Sequence, residues 1–278
     1  RSTKINLSFA FCSTLSSYNN NTISTTNTQS AVKARDLRSN SKQILKLKKA
    51  YEAKYSNGFF ATKRGEIIPA DKDKQYCIEL SYLGKNLTAW YMQRPNLSYG
   101  ETKIFDKYFN TLFKNDYLPE DAYALSFWMR KIMDAWTQEN PLGLEEELLT
   151  MKAYAPYHLL FAISMVFAKC NNQTNVPSPS ECLKVASENN LVDSIINIAA
   201  NCLNSAISAE KNNCEQNNKS FIPQNWVKNK SCNAGIMSAI QNYFSFLPTM
   251  NKEMDNFEPN LKWSDLKKNS DGMVPVIV

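Results

Sequence analysis

A chain of 278 residues, 43% of them apolar, carries enough non-polar surface to bury a core, which excludes an intrinsically disordered protein. The net charge of +6 permits an anionic partner without requiring one, and a large share of the positive charge lies between Lys33 and Lys63. The longest apolar stretch, Tyr157 to Ala168, contains His158 and Ser164 and is shorter than the roughly 20 residues of a membrane-spanning helix, so a soluble cytoplasmic protein with no membrane partner is expected.

The chain begins at Arg1 with no visible secretory leader, and the expectation is a piece of a longer protein. The seven cysteines (Cys12, Cys77, Cys170, Cys182, Cys202, Cys214 and Cys232) are odd in number and widely spaced, with no CxxC or Cys-x-His pair. Free thiols in a reducing compartment are therefore expected, with no zinc site, disulfide framework or cofactor. Triplets such as Asn86-Leu87-Thr88 follow from an Asn-rich composition and are not read as glycosylation sites.

In chain order, Ile5 to Cys12 reads as a strand end, and Ser13 to Thr28 as a polar loop. A helix is predicted from Asp36 or Ser39 to Tyr55, because Ile44, Leu45, Leu47, Ala50, Tyr51 and Tyr55 recur at three-to-four spacing behind polar capping residues. Its opposite face carries Lys42, Lys46, Lys48, Lys49 and Lys54; a solvated face over a packed core is the plainer meaning, and a phosphate-binding surface the alternative. Asn57-Gly58 ends that helix, with Gly58 expected to take a left-handed cap. Phe59 to Ile68 then has strand character with a turn at Arg64-Gly65, which predicts a short hairpin.

From Ile78 the apolar spacing predicts helices over Ile78 to Gln93, Thr102 to Lys114, Pro119 to Thr137, Leu144 to Ala168, Ser180 to Asn189, Leu191 to Lys211 and Ser231 to Phe246. No fixed-period repeat runs through them. The expected fold class is α+β, predominantly α: residues 1–76 form the end of a mixed α/β region with the Asn/Gln loop, basic helix and hairpin, and residues 77–278 a helical domain.

One third of the chain carries an ordered set of short motifs. They are Thr26-Asn27-Thr28-Gln29-Ser30-Ala31-Val32-Lys33-Ala34-Arg35-Asp36-Leu37-Arg38-Ser39-Asn40, then Gly58-Phe59-Phe60 and Lys63-Arg64-Gly65-Glu66. Leu83-Gly84-Lys85-Asn86-Leu87-Thr88-Ala89-Trp90, Pro95 and the stretch Ile104 to Phe113 follow. In order and spacing this resembles the abortive-infection phage-resistance (AIPR) family, in its C-terminal portion. The resemblance implies a bacterial antiphage defence protein that engages nucleic acid. The family's upstream N-G-x-Q-T motif is absent here, so any catalysis is expected to need residues upstream of this chain.

The residues expected to meet nucleic acid or phosphate are Asn27, Gln29, Lys33, Arg35, Lys63 and Arg64. Asn27 and Gln29 both donate and accept hydrogen bonds, and the four cations suit a phosphate backbone, with Glu66 orienting Lys63 and Arg64. A structural loop and a plain basic turn are the competing readings. Glu66, Asp71, Asp73 and Glu79 are spread over a loop and predict no metal site. His158, on an apolar helix, reads as a core histidine rather than a base. Neither a P-loop nor a dinucleotide-binding glycine motif occurs in the sequence, and aromatics such as Tyr82, Trp90, Tyr91, Trp128, Trp136 and Phe161 read as core. The alternative function is a non-enzymatic interaction or homo-oligomerisation module built on the helices after Pro119.

Overall fold

The computed structural model describes residues 33–113, 117–137, 139–170 and 176–253, with side chains as far as residue 245 and without that of Cys170. The expected strand and polar loop of the first 28 residues lie outside the described residues. The described residues from Ala34 onward belong to one compact unit.

Two helices replace the one expected at the start: α1 (Ala34–Arg38) and α2 (Lys42–Lys54). The break falls where Ser39 turns its hydroxyl back onto the Asp36 carbonyl, at 2.8 Å, a local bond that competes with helix continuation. α2 buries Ile44, Leu47 and Tyr51, a stripe at three-to-four spacing. Gly58 follows it for a reason other than the one the sequence suggests. Its backbone is not left-handed; a Cβ there would stand 2.7 Å from the Tyr76 carbonyl oxygen.

The expected hairpin does not form. Strand β1 (Phe59–Ala61) pairs in parallel with β2 (Cys77–Glu79), with Phe60 opposite Ile78. Side chains dictate this. The outer edge of β1 is occupied by an i,i+4 ion pair of α2: the Phe60 N–H donates to Glu52 at 3.2 Å, and Lys48 donates to the Phe60 carbonyl. The two groups satisfy the strand edge as a neighbouring strand would. Just beyond, the Thr62 and Lys63 N–H groups donate to the Glu66 carboxylate at 2.8 and 3.0 Å, so the chain turns at Gly65 (φ 69°) without building a ladder.

The remaining helices are α3 (Leu80–Trp90), α4 (Glu101–Asp106), α5 (Phe109–Leu112), α6 (Pro119–Met133), α7 (Glu146–Thr150), α8 (Ala155–Cys170), α9 (Pro179–Glu188), α10 (Val192–Gln216), α11 (Pro223–Lys228) and α12 (Lys230–Glu253). With the two short parallel strands they make a predominantly α, α+β fold, the class the sequence predicts.

α8 is the centre of the bundle. Every residue from Ala155 to Ala168 is buried, as expected of a helix that is apolar all round, and it packs against α3, α6, α10 and α12. The single helix expected over Leu144 to Ala168 is instead two, because Pro156 has no N–H to donate and is accepted only in a helix's first turn. Asn190 and Asn218, at φ 56° and 52°, take the left-handed conformation that follows α9 and α10. One core spans residues on both sides of the expected division at 76 and 77: Tyr51 and Phe60 belong with Trp90, Trp128 and Phe167 to the same buried cluster.

Candidate nucleic-acid interface

The amphipathic spacing that buries Ile44, Leu47 and Tyr51 also fixes the opposite face of α2. At 100° per residue Lys42, Lys46 and Lys49 fall within about 60° of one another, on the side away from that stripe. All three are exposed, and Lys42 and Lys49 have no ion pair among the described residues. They span about 10 Å along the helix axis.

Beside it lies the turn from Lys63 to Glu66. Glu66 is held to α2 by Lys48 at 3.5 Å and holds the turn by the two backbone N–H groups, leaving Lys63 and Arg64 exposed. Burial alone would raise the Glu66 carboxyl's pKa, but the Lys63 and Thr62 N–H groups and the Lys48 ammonium outweigh it and hold it below the usual carboxylate range. Glu66 therefore shapes the backbone of the turn. It does not pair with the Lys63 or Arg64 side chains.

The six expected site residues separate. Asn27 and Gln29 lie outside the described residues. Lys33 is exposed, as are Lys63 and Arg64. Arg35 is only 4% exposed. Its guanidinium faces Glu79 at 3.1 Å, Asp36 at 3.5 Å and Glu101 at 3.6 Å. A buried cation surrounded by carboxylates joins elements and has little left for phosphate, so Arg35 is assigned a structural role and not a contact. Arg38 is similarly engaged, donating to the Phe105 carbonyl at 3.2 Å with its guanidinium over the Phe109 ring. Lys48 and Lys54 pair with Glu52 and Glu120.

Elsewhere, His158 is fully buried with Nδ1 against the Tyr154 carbonyl at 3.1 Å, and Nε2 makes no hydrogen bond among the described residues. Burial favours the neutral ring and pushes its pKa down to about 4. No described nucleophile is hydrogen-bonded to it. Among the described residues no three His, Cys, Asp or Glu side chains are grouped to hold a metal ion.

A feature the sequence reading missed lies at the C-terminal end of α2. A cleft of about 510 Å³ opens there, bounded by Tyr55, Leu118, Glu120, Tyr123 and the first turns of α9. Tyr76 stacks with Tyr55 and with Tyr123, and Tyr55 and Tyr123 are tilted by 31° to each other, all with ring centroids 5.1–5.3 Å apart. Asp121, buried behind the cleft, accepts from the Ser178 hydroxyl at 2.7 Å and the Ser180 hydroxyl at 2.6 Å, so both serines turn their protons inward. A second cleft, of about 530 Å³, lies between α10 and α12 and is lined mostly by small residues, with no charged side chain.

No protein-family model, curated protein or solved structure matches this chain.

Proposed function

We propose that the chain is part of a bacterial abortive-infection defence protein, as its AIPR-like order of elements implies, and that it engages nucleic acid through the lysine face of α2 and the turn carrying Lys63 and Arg64. The observation that carries this reading is the arrangement of Lys42, Lys46 and Lys49 on one exposed face, opposite the buried stripe and next to a turn that exposes two further cations. Phosphate recognition needs accessible cations in a row, and these exposed residues supply them. Asn27, Gln29 and Lys33 remain candidates for orienting a phosphate or a base edge.

The test is a fluorescence-anisotropy titration of labelled single- and double-stranded oligonucleotides. Charge reversal at Lys42, Lys46 and Lys49 is expected to weaken binding at least tenfold, and the Lys63→Glu, Arg64→Glu variant to weaken it further. Binding untouched by both sets would overturn the reading.

A second reading, an interaction module, draws on the exposed apolar side chains. Leu37 is 70% exposed, Ile67 86% and Leu118 58%, all before Pro119, whereas Ile222 at 52% is the one large apolar residue after it that is similarly exposed among the described residues. The apolar exposure thus lies in the same half as the lysine face. A stable oligomer in sedimentation velocity that dissociates on Ile67→Ser would favour this second reading.

A further inference from the structure

The cleft at the end of α2 has the chemistry of a base-binding site. Its walls include two tyrosine rings, its rim an exposed leucine and Glu120, which pairs with Lys54, and its other polar groups come from the first turns of α9, where Glu181 and Lys184 have no ion pair among the described residues. Ser178 and Ser180 donate inward to Asp121, and the Ser178 hydroxyl oxygen also accepts from the Glu181 N–H at 3.4 Å, capping α9. The phenols are neutral at physiological pH. Burial, then Glu120 and the neighbouring tyrosines, pushes Tyr55 up to about 12, and burial likewise raises Tyr123. The cleft therefore offers neutral aromatic surface, a free carboxylate as acceptor and one ammonium at the rim.

A planar ring with an amine on its edge and a phosphate attached matches that set. Tyrosine surface stacks with the ring, a carboxylate accepts from an exocyclic amine, and a lysine meets the phosphate as a point charge. The position strengthens the match. Tyr55 lies about 9 Å beyond Lys49 along the axis of α2 and on the other side of the helix, so a strand on the lysine face reaches the cleft by passing round the helix end. The way from the lysine face round the end of the helix passes Lys54, which pairs with Glu120 on the cleft's own rim at 2.8 Å.

We propose that the cleft bounded by Tyr55, Leu118, Tyr123, Glu181, Leu183 and Lys184 receives one unstacked, amine-bearing base of a single strand whose phosphates run along the lysine face of α2. This rests on the nucleic-acid reading above and adds to it a site for a base. The cleft turns a sequence-indifferent phosphate contact into one that senses whether a base is present.

The experiment compares binding of a dodecamer of deoxycytidine with an abasic strand of the same length, at fixed salt, for the wild-type chain, Tyr123→Phe, Tyr123→Ala and the double variant Glu181→Ala, Lys184→Ala. The wild type is expected to prefer the base-bearing strand by about tenfold, the loss typical of removing one stacked base. Tyr123→Phe keeps the preference; Tyr123→Ala and the rim variant lose most of it. Thermal melts establish that each variant is folded, and should Tyr123→Ala fail to fold, the exposed rim variant decides. Equal affinity for both strands, or a preference unchanged in the rim variant, overturns the base site while leaving phosphate binding standing; the cleft then falls to another ligand class, such as a peptide side chain. No binding of either strand overturns the nucleic-acid reading and the base site together.

Discussion

Arg35 and Arg64 carry the same charge in the same basic stretch, yet the fold puts them to opposite uses. Arg35 sits at 4% exposure among Asp36, Glu79 and Glu101, joining α1 to β2 and α4, whereas Arg64 stands at an exposed turn with no carboxylate partner among the described residues. Lys48 and Lys49 repeat the contrast at adjacent positions: one caps a strand edge, the other faces solvent. Positive charge in a sequence is a poor guide to its role until the carboxylates that fold back onto it are known.

The contrast breaks most readily at Arg35. Arg35→Ala leaves three carboxylates without their shared cation and is expected to cost about 4 kcal/mol of stability, read as a fall in the urea midpoint, with little change in oligonucleotide affinity per folded molecule. A loss of affinity without a loss of stability would move Arg35 back among the contacts.

A second expectation concerns the buried histidine as a control outside the charged region. The folded chain holds His158 neutral down to about pH 4, whereas the unfolded chain takes up a proton from about 6.5 downward, so the unfolded state binds more protons between these values and stability falls as the pH is lowered. The full effect is about 3 kcal/mol at pH 4, and His158→Leu is expected to remove that pH-dependence. Thermal melts from pH 7 to 4.5 measure it; an unchanged slope in the variant would place the titration elsewhere.

Smaller effects separate Lys48 from its neighbour. Glu52→Ala strips the Phe60 N–H of its acceptor and Lys48 of one of its two carboxylate partners, and is expected to cost about 1.5 kcal/mol. Lys49→Ala, which removes no described contact, is expected to change stability by less than about 0.5 kcal/mol while weakening oligonucleotide binding.

The same logic explains what the sequence made legible. The helical half declared itself through three-to-four spacing, with boundaries near the left-handed Asn190 and Asn218, but the apolar run across Pro156 hid the break between α7 and α8. β1 was legible as a strand, but its partner was not: Cys77–Glu79 is three residues long and pairs in parallel, which only the packing of α2 and α3 brings about. Lys63 and Arg64 were legible as an exposed basic turn because Gly65 marks the turn locally. The burial of Arg35 was not legible because its partners Glu79 and Glu101 are far along the chain, and the cleft was invisible because Tyr55, Tyr123 and Glu181 come from three helical segments.

The central claim is that the exposed cations, and not the buried ones, meet phosphate. Its most direct measurement is the salt dependence of single-strand binding. Each phosphate neutralised contributes a slope of about −0.7 to log affinity against log salt, so contacts from Lys42, Lys46, Lys49, Lys63 and Arg64 predict a slope near −3 to −4 in the wild type. Neutralising all five to glutamine should bring the slope to about −1 or less in magnitude, the share left to a rim cation such as Lys184, while a folded Arg35→Lys variant should keep the wild-type slope. A slope that survives the five neutralisations, or that collapses in Arg35→Lys alone, would contradict the account.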